Sequence, residues 1–256
     1  MSDKFCLTVL GSGVMVPTKV RNAAGFLLEV NDKKILLDCG VGIIRRLADF
    51  GYNLKDIDLV FLSHFHTDHA GDAFSLIHTL WVNDAYENHP KEHKELLFLG
   101  PRGTQDRFRL WRQIFWLEPE EFYPVTFWEG PREFNLGEIK FELFEVHHVL
   151  WFQSVGIKIT YKGKTLVYTG DIGSRQDWQT LVNEVKSADL LITEASYKDP
   201  TPNHFTFDQI VALNNEAKIK KTLIVHVRPQ QISFVEEKIK DNSQFILAND
   251  AQKIEL

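Results

Sequence analysis

FLSHFHTDHAGD, residues 61–72, is the stretch of this 256-residue chain that decides its interpretation. It places His64, His66, Asp68 and His69 within six residues, directly after the apolar run IDLVFL. Imidazole and carboxylate groups are the usual protein ligands of zinc, manganese and iron. This density of ligand-type residues, between a buried strand and a glycine, indicates a metal site rather than a solvated loop.

The spacing within this stretch suggests more than one metal. Residues two apart in an extended segment point the same way, so His64, His66 and Asp68 are predicted to converge. His69 is predicted to begin a helix and to face a neighbouring point. Because one ion needs three or four ligands, the stretch can begin two sites and complete neither. The sequence has no Cys-x-x-Cys motif, which argues against a closed structural zinc site.

Further ligand-type residues follow other predicted strands. His147 and His148 end IKFELFEVHH, Asp171 ends VYTGD, and His226 lies in LIVHV. Strand ends are positions where a rigid scaffold holds chemistry. Both faces of IKFELFEV are apolar, so its alternation cannot choose between His147 and His148 as a ligand.

Composition limits the class of protein. Net charge is −6 and the pI is about 5.9, so the chain as a whole lacks the basic footprint of proteins that grip nucleic acid. We find no basic and apolar leader and no apolar run long enough to span a membrane. The two cysteines, Cys6 and Cys39, lie far apart, which favours a reduced, cytoplasmic protein. Without a linker-like tract, residues 1–256 are predicted to form one domain.

Strand and helix patterns alternate along both halves of the chain, which predicts an α/β layered domain with mixed sheets. With this pattern, five motifs together resemble the metallo-β-lactamase fold superfamily: LLDCG with Asp38, SHFHTDHAGD, a later strand-end histidine, YTGD and VHV. The resemblance implies a four-layer αβ/βα sandwich, in which two sheets pack face to face with helices outside.

The resemblance also implies a binuclear metal site. It assigns one metal to His64, His66 and His148, the other to Asp68, His69 and His226, with Asp171 bridging the two. Asp38 would orient a ligand histidine. The family's pattern of a valine, one residue and then the ligand favours His148 over His147. The expected cofactors are two divalent ions, zinc ahead of manganese or iron.

Two metals that share a carboxylate activate water as hydroxide, so a hydrolase is expected. TEAS with Glu194, followed by HFT with His204, resembles the phosphodiesterase branch of the superfamily, which includes ribonuclease Z and cyclic-phosphate and cyclic-nucleotide phosphodiesterases. By that resemblance Glu194 orients His204, which protonates the leaving oxygen. Asp68, Glu194 and His204 are therefore the catalytic candidates.

The substrate class stays open at this point. Enzymes of that branch that process tRNA 3′ ends carry a long arm between the later ligand histidine and the GD aspartate, and His148 and Asp171 leave no room for one. A small or nucleotide-like phosphodiester is therefore preferred, and nucleic acid is not favoured. The alternatives are a tRNA 3′-processing endoribonuclease and a carboxylic-ester or lactone hydrolase. The resemblance also allows a homodimer, and no membrane partner is expected.

One segment, residues 102–117, keeps nucleic acid open as a partner. It interleaves arginines with aromatic residues, a combination that contacts phosphates and stacks bases. The preferred interpretation is an amphipathic helix with solvated arginines. Its expected core face comprises Leu110, Trp111, Ile114, Phe115 and Leu117.

Overall fold

The computed structural model describes residues 4–116 and 122–256 and contains two mixed sheets of seven strands each. The first sheet has the order β14-β1-β2-β3-β4-β5-β6. Its strands are β1 (Phe5–Gly11), β2 (Gly25–Val30), β3 (Lys33–Leu37), β4 (Ile57–Phe61), β5 (Leu96–Gly100), β6 (Val125–Glu129) and β14 (Lys253–Glu255). Strands β1 to β3 pair antiparallel, and β3 to β6 pair parallel.

The second sheet repeats this plan, with the order β13-β12-β11-β10-β9-β8-β7. Its strands are β7 (Arg132–Leu136), β8 (Ile139–Val146), β9 (Ser154–Tyr161), β10 (Lys164–Tyr168), β11 (Leu190–Glu194), β12 (Lys221–Val225) and β13 (Phe245–Leu247). Strands β7 to β10 are antiparallel, and β10 to β13 are parallel.

Helices cover the outer face of each sheet. They are α1 (Ile43–Asp49), α2 (Thr67–Ala70), α3 (Ala73–Val82), α4 (Thr104–Phe115), α5 (Trp178–Val185), α6 (Phe207–Ala217) and α7 (Ile232–Ile239). One apolar cluster fills the space between the sheets. A second packs α5, α6 and α7 on the second sheet, and a third packs α1, α3 and α4 on the first. Layers of helix, sheet, sheet and helix confirm the predicted αβ/βα sandwich.

Most predicted elements are present, and several were missed. Strands β8, β9 and β10 form consecutive antiparallel pairs, and β2 and β3 form a hairpin through Asn31, where φ is 53°. Strands β7 and β14 and helix α5 were not predicted. Helix α5 carries a readable signal, because Asp177 caps its first turn and its buried residues recur at helical spacing.

The expected core face of the Arg/aromatic segment is wrong in part. Helix α4 packs on the first sheet through Phe108 and Trp111. Leu110, Ile114 and Phe115 lie in solvent instead, with exposed fractions of 59%, 67% and 64%. Leu117 lies outside the described residues. The helical period was read correctly, but two apolar stripes exist and only one of them faces the sheet.

The arginines of this segment also have partners within the protein. Arg107 stacks 3.9 Å over the ring of Phe65, and Arg109 pairs with Asp106.

Across the described ranges, no helix is long and apolar enough to cross a membrane.

Candidate active site

The parallel strands of both sheets end at one rim, and the polar residues singled out from the sequence meet there. The turn after β4 supplies His64 and His66, and the end of β8 supplies His148. His66 Nδ1 lies 3.1 Å from His64 Nε2 and 3.2 Å from His148 Nε2. These nitrogens and one oxygen of Asp171 form a compact first group.

A second group lies beside the first and consists of Asp68, His69 and His226. His226 Nε2 is 3.0 Å from Asp68 Oδ2, and His69 Nε2 is 3.9 Å from the same oxygen. Asp171 faces both groups: its Oδ2 lies 3.9 Å from His64 Nε2, and its Oδ1 lies 3.6 Å from His69 Nε2. Its position between the two groups suits a bridging carboxylate.

These separations fit metal ligands. Ligand atoms about 2.1 Å from a tetrahedral ion stand roughly 3.4 Å from one another. The nitrogen that faces away from the cluster is also held on four histidines. His64 Nδ1 contacts Ser63 Oγ, His69 Nδ1 contacts Asp38, His148 Nδ1 contacts the carbonyl of Asn203, and His226 Nδ1 contacts Ser196 Oγ. Their Nε2 lone pairs are thus left for the cluster, as metal sites require.

His69 gives the clearest test of fit. Its Nε2 is buried and has no hydrogen-bond partner among the described residues, although its Nδ1 is 2.6 Å from Asp38. A buried imidazole nitrogen without a partner is costly unless a ligand takes it. The residues therefore suit two divalent ions, with one nitrogen already directed at the second.

Electrostatics favour cations at this rim. Burial opposes the charged form of His69, but Asp171 and Asp38 outweigh it and raise the pKa of this imidazole to about 10. Burial likewise opposes the charged form of Asp171, yet the surrounding histidines hold the pKa of its carboxyl well below its usual range. Burial lowers the pKa of His64, His66 and His148, which keeps these imidazoles neutral. Neutral imidazoles and ionised carboxylates are the ligand forms, so an ion bound at His69 would take the place of the proton on its Nε2.

Asp38 ties the two sheets together below the metal groups. Its buried carboxylate accepts hydrogen bonds from the backbone and side chain of Ser63, from His69 and from Tyr168. Tyr168 ends β10 in the second sheet, and Ser63 follows β4 in the first. The sheets also meet at Gly170, where φ is +61° and a Cβ would lie 2.6 Å from Ser63 Cβ. Only glycine fits that approach.

Two details of the sequence interpretation are decided by this geometry. Asp68 does not converge with His64 and His66, because α2 begins at Thr67 and turns the carboxylate towards His69 and His226. The side chains thus cluster as the family resemblance implies and not as the extended spacing predicted, and their role as metal ligands stays a prediction. The structure places His148, which is 5% exposed, beside His66, while the neighbouring His147 is exposed.

Glu194 and His204 form a pair at the edge of the second metal group. Glu194 ends β11, is fully buried, and accepts a hydrogen bond from His204 Nδ1 at 2.8 Å. Its other oxygen accepts the backbone N–H of Ile172 at 2.8 Å. His204 Nδ1 also lies 3.8 Å from Asp171 Oδ2. The structure thus brings together all the residues singled out as catalytic or metal-binding.

Ser196 is a residue of the candidate site that the sequence analysis missed. Its buried hydroxyl lies 2.7 Å from His226 Nδ1 and 2.5 Å from Glu194 Oε2. We read this as acceptance from His226 and donation to Glu194, because a carboxylate is the stronger acceptor. Ser196 therefore links a metal-group histidine to the carboxylate that holds His204. The serine of TEAS is the only sequence signal for this role.

A cavity of about 310 Å³ opens over this rim. Its polar wall includes Asp68, Asp171 and His204, and its apolar wall is the loop of Val14, Met15 and Val16. Volumes near 300 Å³ are typical of small-ligand sites.

Comparison with known proteins agrees with this geometry. A ribonuclease Z from Archaeoglobus fulgidus is 24% identical over 98% of each chain. Two solved structures share the fold. The metallo-β-lactamase fold protein YhfI from Bacillus subtilis has a TM-score of 0.81, with 21% identity over 99% of this chain and 100% of that one. A diphosphatase of the PhnP family has a TM-score of 0.75, with 20% identity over 99% and 98%.

Fold and site together define a metallo-β-lactamase-fold, metal-dependent hydrolase of the ribonuclease Z-like branch. Within that class, residues 5–251 match the family described as anti-Pycsar protein Apyc1, and the chain belongs to it. The predicted fold and branch are thereby confirmed.

Proposed function

We propose that this chain is a phosphodiesterase that hydrolyses a small or nucleotide-like phosphodiester, with His204 protonating the leaving oxygen. The Glu194–His204 pair is the observation that carries the proposal. Esters of carboxylic acids can be hydrolysed at a binuclear metal site without a dedicated acid. An alkoxide leaving from phosphorus is a poor leaving group and gains from a proton donor.

His204 is suited to hold that proton. Burial lowers the pKa of this imidazole, but the Glu194 carboxylate and its hydrogen bond outweigh burial, and Asp171 adds to them, so that the pKa is raised to about 9. With Nδ1 on Glu194, the proton available for transfer lies on Nε2, on a side chain that lines the cavity. The imidazole is therefore protonated at neutral pH.

The metal groups complete the proposed site. We propose that His64, His66 and His148 hold one divalent ion, that Asp68, His69 and His226 hold the other, and that Asp171 bridges them. Such ions lower the pKa of water and polarise phosphoryl oxygens. Asp38 and Ser196 fix the ring orientation of His69 and His226. Zinc is our first choice of metal, because five imidazoles and two carboxylates suit it.

Three observations support a small substrate. After His148 the chain reaches β9 through residues 149–153 alone, and β9 joins β10 by a tight turn, so no arm extends from this edge. The alignment with the archaeal ribonuclease Z covers 318 positions although this chain has 256 residues, so that relative carries insertions that this chain lacks. The cavity volume suits a ligand the size of a mononucleotide.

A substrate panel tests the proposal. The protein, loaded with zinc or manganese, is offered bis-p-nitrophenyl phosphate, a 2′,3′-cyclic nucleotide, a precursor tRNA, a lactone and a β-lactam. We expect turnover of the first two. Lactone turnover without phosphodiester turnover would contradict the proposal, and efficient precursor tRNA cleavage would replace it with tRNA 3′ processing.

The role of His204 has a sharper test, based on the leaving group. We expect His204→Ala to reduce kcat for the cyclic nucleotide by about 10²- to 10⁴-fold, because the ribose oxygen needs a proton. Turnover of bis-p-nitrophenyl phosphate should fall far less, since nitrophenolate leaves without one. His89→Ala, which removes an exposed histidine, is the matched control. Equal losses of kcat on both substrates would contradict the role of His204 as the acid.

A further inference from the structure

Arg228 lines the cavity and lies two residues beyond His226 in the loop after β12. Its guanidinium carbon sits 4.8 Å above the ring centroid of Tyr197. Tyr197 in turn stacks on His204, with ring centroids 5.3 Å apart and planes inclined by 29°. The three side chains form a column that starts at the leaving-group acid and ends at a cation.

The guanidinium of Arg228 donates no hydrogen bond to any residue that the structure describes. Among the residues that the structure describes, no carboxylate lies within salt-bridge distance of it, and the Tyr197 ring is its recorded side-chain partner. A guanidinium carries five N–H donors in a planar fork, and stacking on an aromatic ring fixes that plane. Arg228 is therefore a half-buried donor array held in place beside the cavity.

The same cavity also has an apolar wall, which is held in place. Met15 and Val16 are 50% and 71% exposed and line the same cavity. Their loop is fastened at both ends by Asp250, which accepts the backbone N–H of Ser12 at 2.9 Å and that of Asn22 at 2.9 Å. A cavity that is lined by both a donor fork and an apolar loop suits a flat group with apolar faces and an edge rich in acceptors.

We propose that Arg228 determines substrate specificity by donating hydrogen bonds to two adjacent acceptors on the leaving-group half of the substrate. The proposal rests on the proposed function, because the position of His204 defines the leaving-group side. The acceptors could be the edge of a nucleobase, as with O6 and N7 of guanine, or the oxygens of a second phosphate. The apolar wall of Met15 and Val16 favours the nucleobase.

Three cyclic phosphates with the same scissile bond distinguish a nucleobase acceptor from a second-phosphate acceptor. They are guanosine 2′,3′-cyclic phosphate, methyl riboside 2,3-cyclic phosphate, and the latter with a 5-phosphate. We expect Arg228→Met, which keeps an apolar stem over Tyr197, to lower kcat/KM for the guanosine compound roughly 5- to 150-fold. For the riboside without base or second phosphate, the change should stay within about twofold. Selective loss on the 5-phosphate compound alone would assign the second phosphate instead.

Arg175→Met is the matched control, because Arg175 is exposed and lines a different cavity beside His147. The dissociation constant of guanosine 3′-monophosphate, measured by calorimetry on the metal-loaded protein, gives a readout independent of turnover. We expect Arg228→Met to weaken this binding and Arg175→Met not to. Equal effects of Arg228→Met on all three cyclic phosphates, with unchanged nucleotide binding, would overturn the specificity role while leaving the phosphodiesterase intact. If the unaltered protein hydrolysed none of the phosphodiesters, the proposed function itself would be contradicted.

Discussion

The two sheets supply the candidate site in different ways. The first sheet contributes His64, His66, Asp68 and His69 from one short turn after β4. The second contributes its residues one strand at a time, from the ends of β8, β10, β11 and β12. A contiguous turn fixes its ligands relative to one another by local geometry. The dispersed set depends on strand order and register, so its members can be separated by mutation.

Asp171 is where the two contributions meet, and its loss should have the largest effect. We expect Asp171→Ala to remove metal from both groups and to lower phosphodiester turnover by more than about 10⁴-fold, beyond the loss of a single acid. Metal analysis and kinetics on one preparation measure both. Asp199→Ala, at an exposed position, is the control. Two ions retained per chain in Asp171→Ala would rule out the bridging role.

The next test separates the first metal group from the second. We expect His148→Ala to lose metal from the His64 and His66 group only, because His69 and His226 keep their own partners. His147→Ala changes an exposed neighbour and should alter stability by less than about 0.5 kcal/mol. Metal content and thermal melting distinguish the two variants. Full occupancy in His148→Ala with loss in His147→Ala would reverse the assignment.

Glu194 allows a test of pH dependence on the second sheet. The raised pKa of His204 keeps its acid form below about pH 9, so activity that needs the acid is lost as pH rises through that value. Glu194→Gln removes the charge that raises this pKa, so the alkaline limb of kcat/KM should move to lower pH. At neutral pH we expect a loss on the order of 10²-fold with an alkoxide leaving group. If the alkaline limb of kcat/KM did not move in Glu194→Gln, His204 would be excluded as the group whose titration causes it.

Ser196 should give the smallest effect of the four. Ser196→Ala removes the hydroxyl that holds His226 Nδ1, and loss of such a partner costs about 10- to 100-fold in metal affinity. Competition with a chelator measures this affinity, and NMR of His226 measures its tautomer. Ser233→Ala, at an exposed site, is the control. An unchanged tautomer and affinity would reduce Ser196 to a packing role.

The same contrast explains what the sequence could predict. The turn after β4 is readable because its candidate ligands are contiguous, and only the helical start at Thr67 misled the spacing argument for Asp68. On the second sheet, His148, Asp171 and His226 could be singled out as candidates because each follows an apolar strand. The choice of His148 over its neighbour needed the family pattern, since both faces of β8 are largely buried.

Contacts across the fold could not be predicted. Ser196 and His226 lie 30 residues apart, and the Tyr168 hydroxyl reaches Asp38 over 130 residues. The sequence around Ser196 or Tyr168 contains no local pattern that predicts its hydrogen-bond partner. The exposed side of α4 was missed for a related reason, because periodicity gives the helix but not which of two apolar stripes the sheet covers.

The Asp38–Tyr168 hydrogen bond couples the chemistry of the rim to assembly of the sandwich. Tyr168 also packs edge-on against Phe26 and Phe61 of the opposite sheet, with ring centroids 5.4 and 6.3 Å away. The Tyr168 hydroxyl therefore reaches the carboxylate that orients His69 only when the two halves of the chain have docked. By thermodynamic linkage, any ion bound there stabilises the docked state over separated halves. Ions held by the proposed metal groups would therefore lock the two sheets together, and we expect chelation to lower the melting temperature as well as activity.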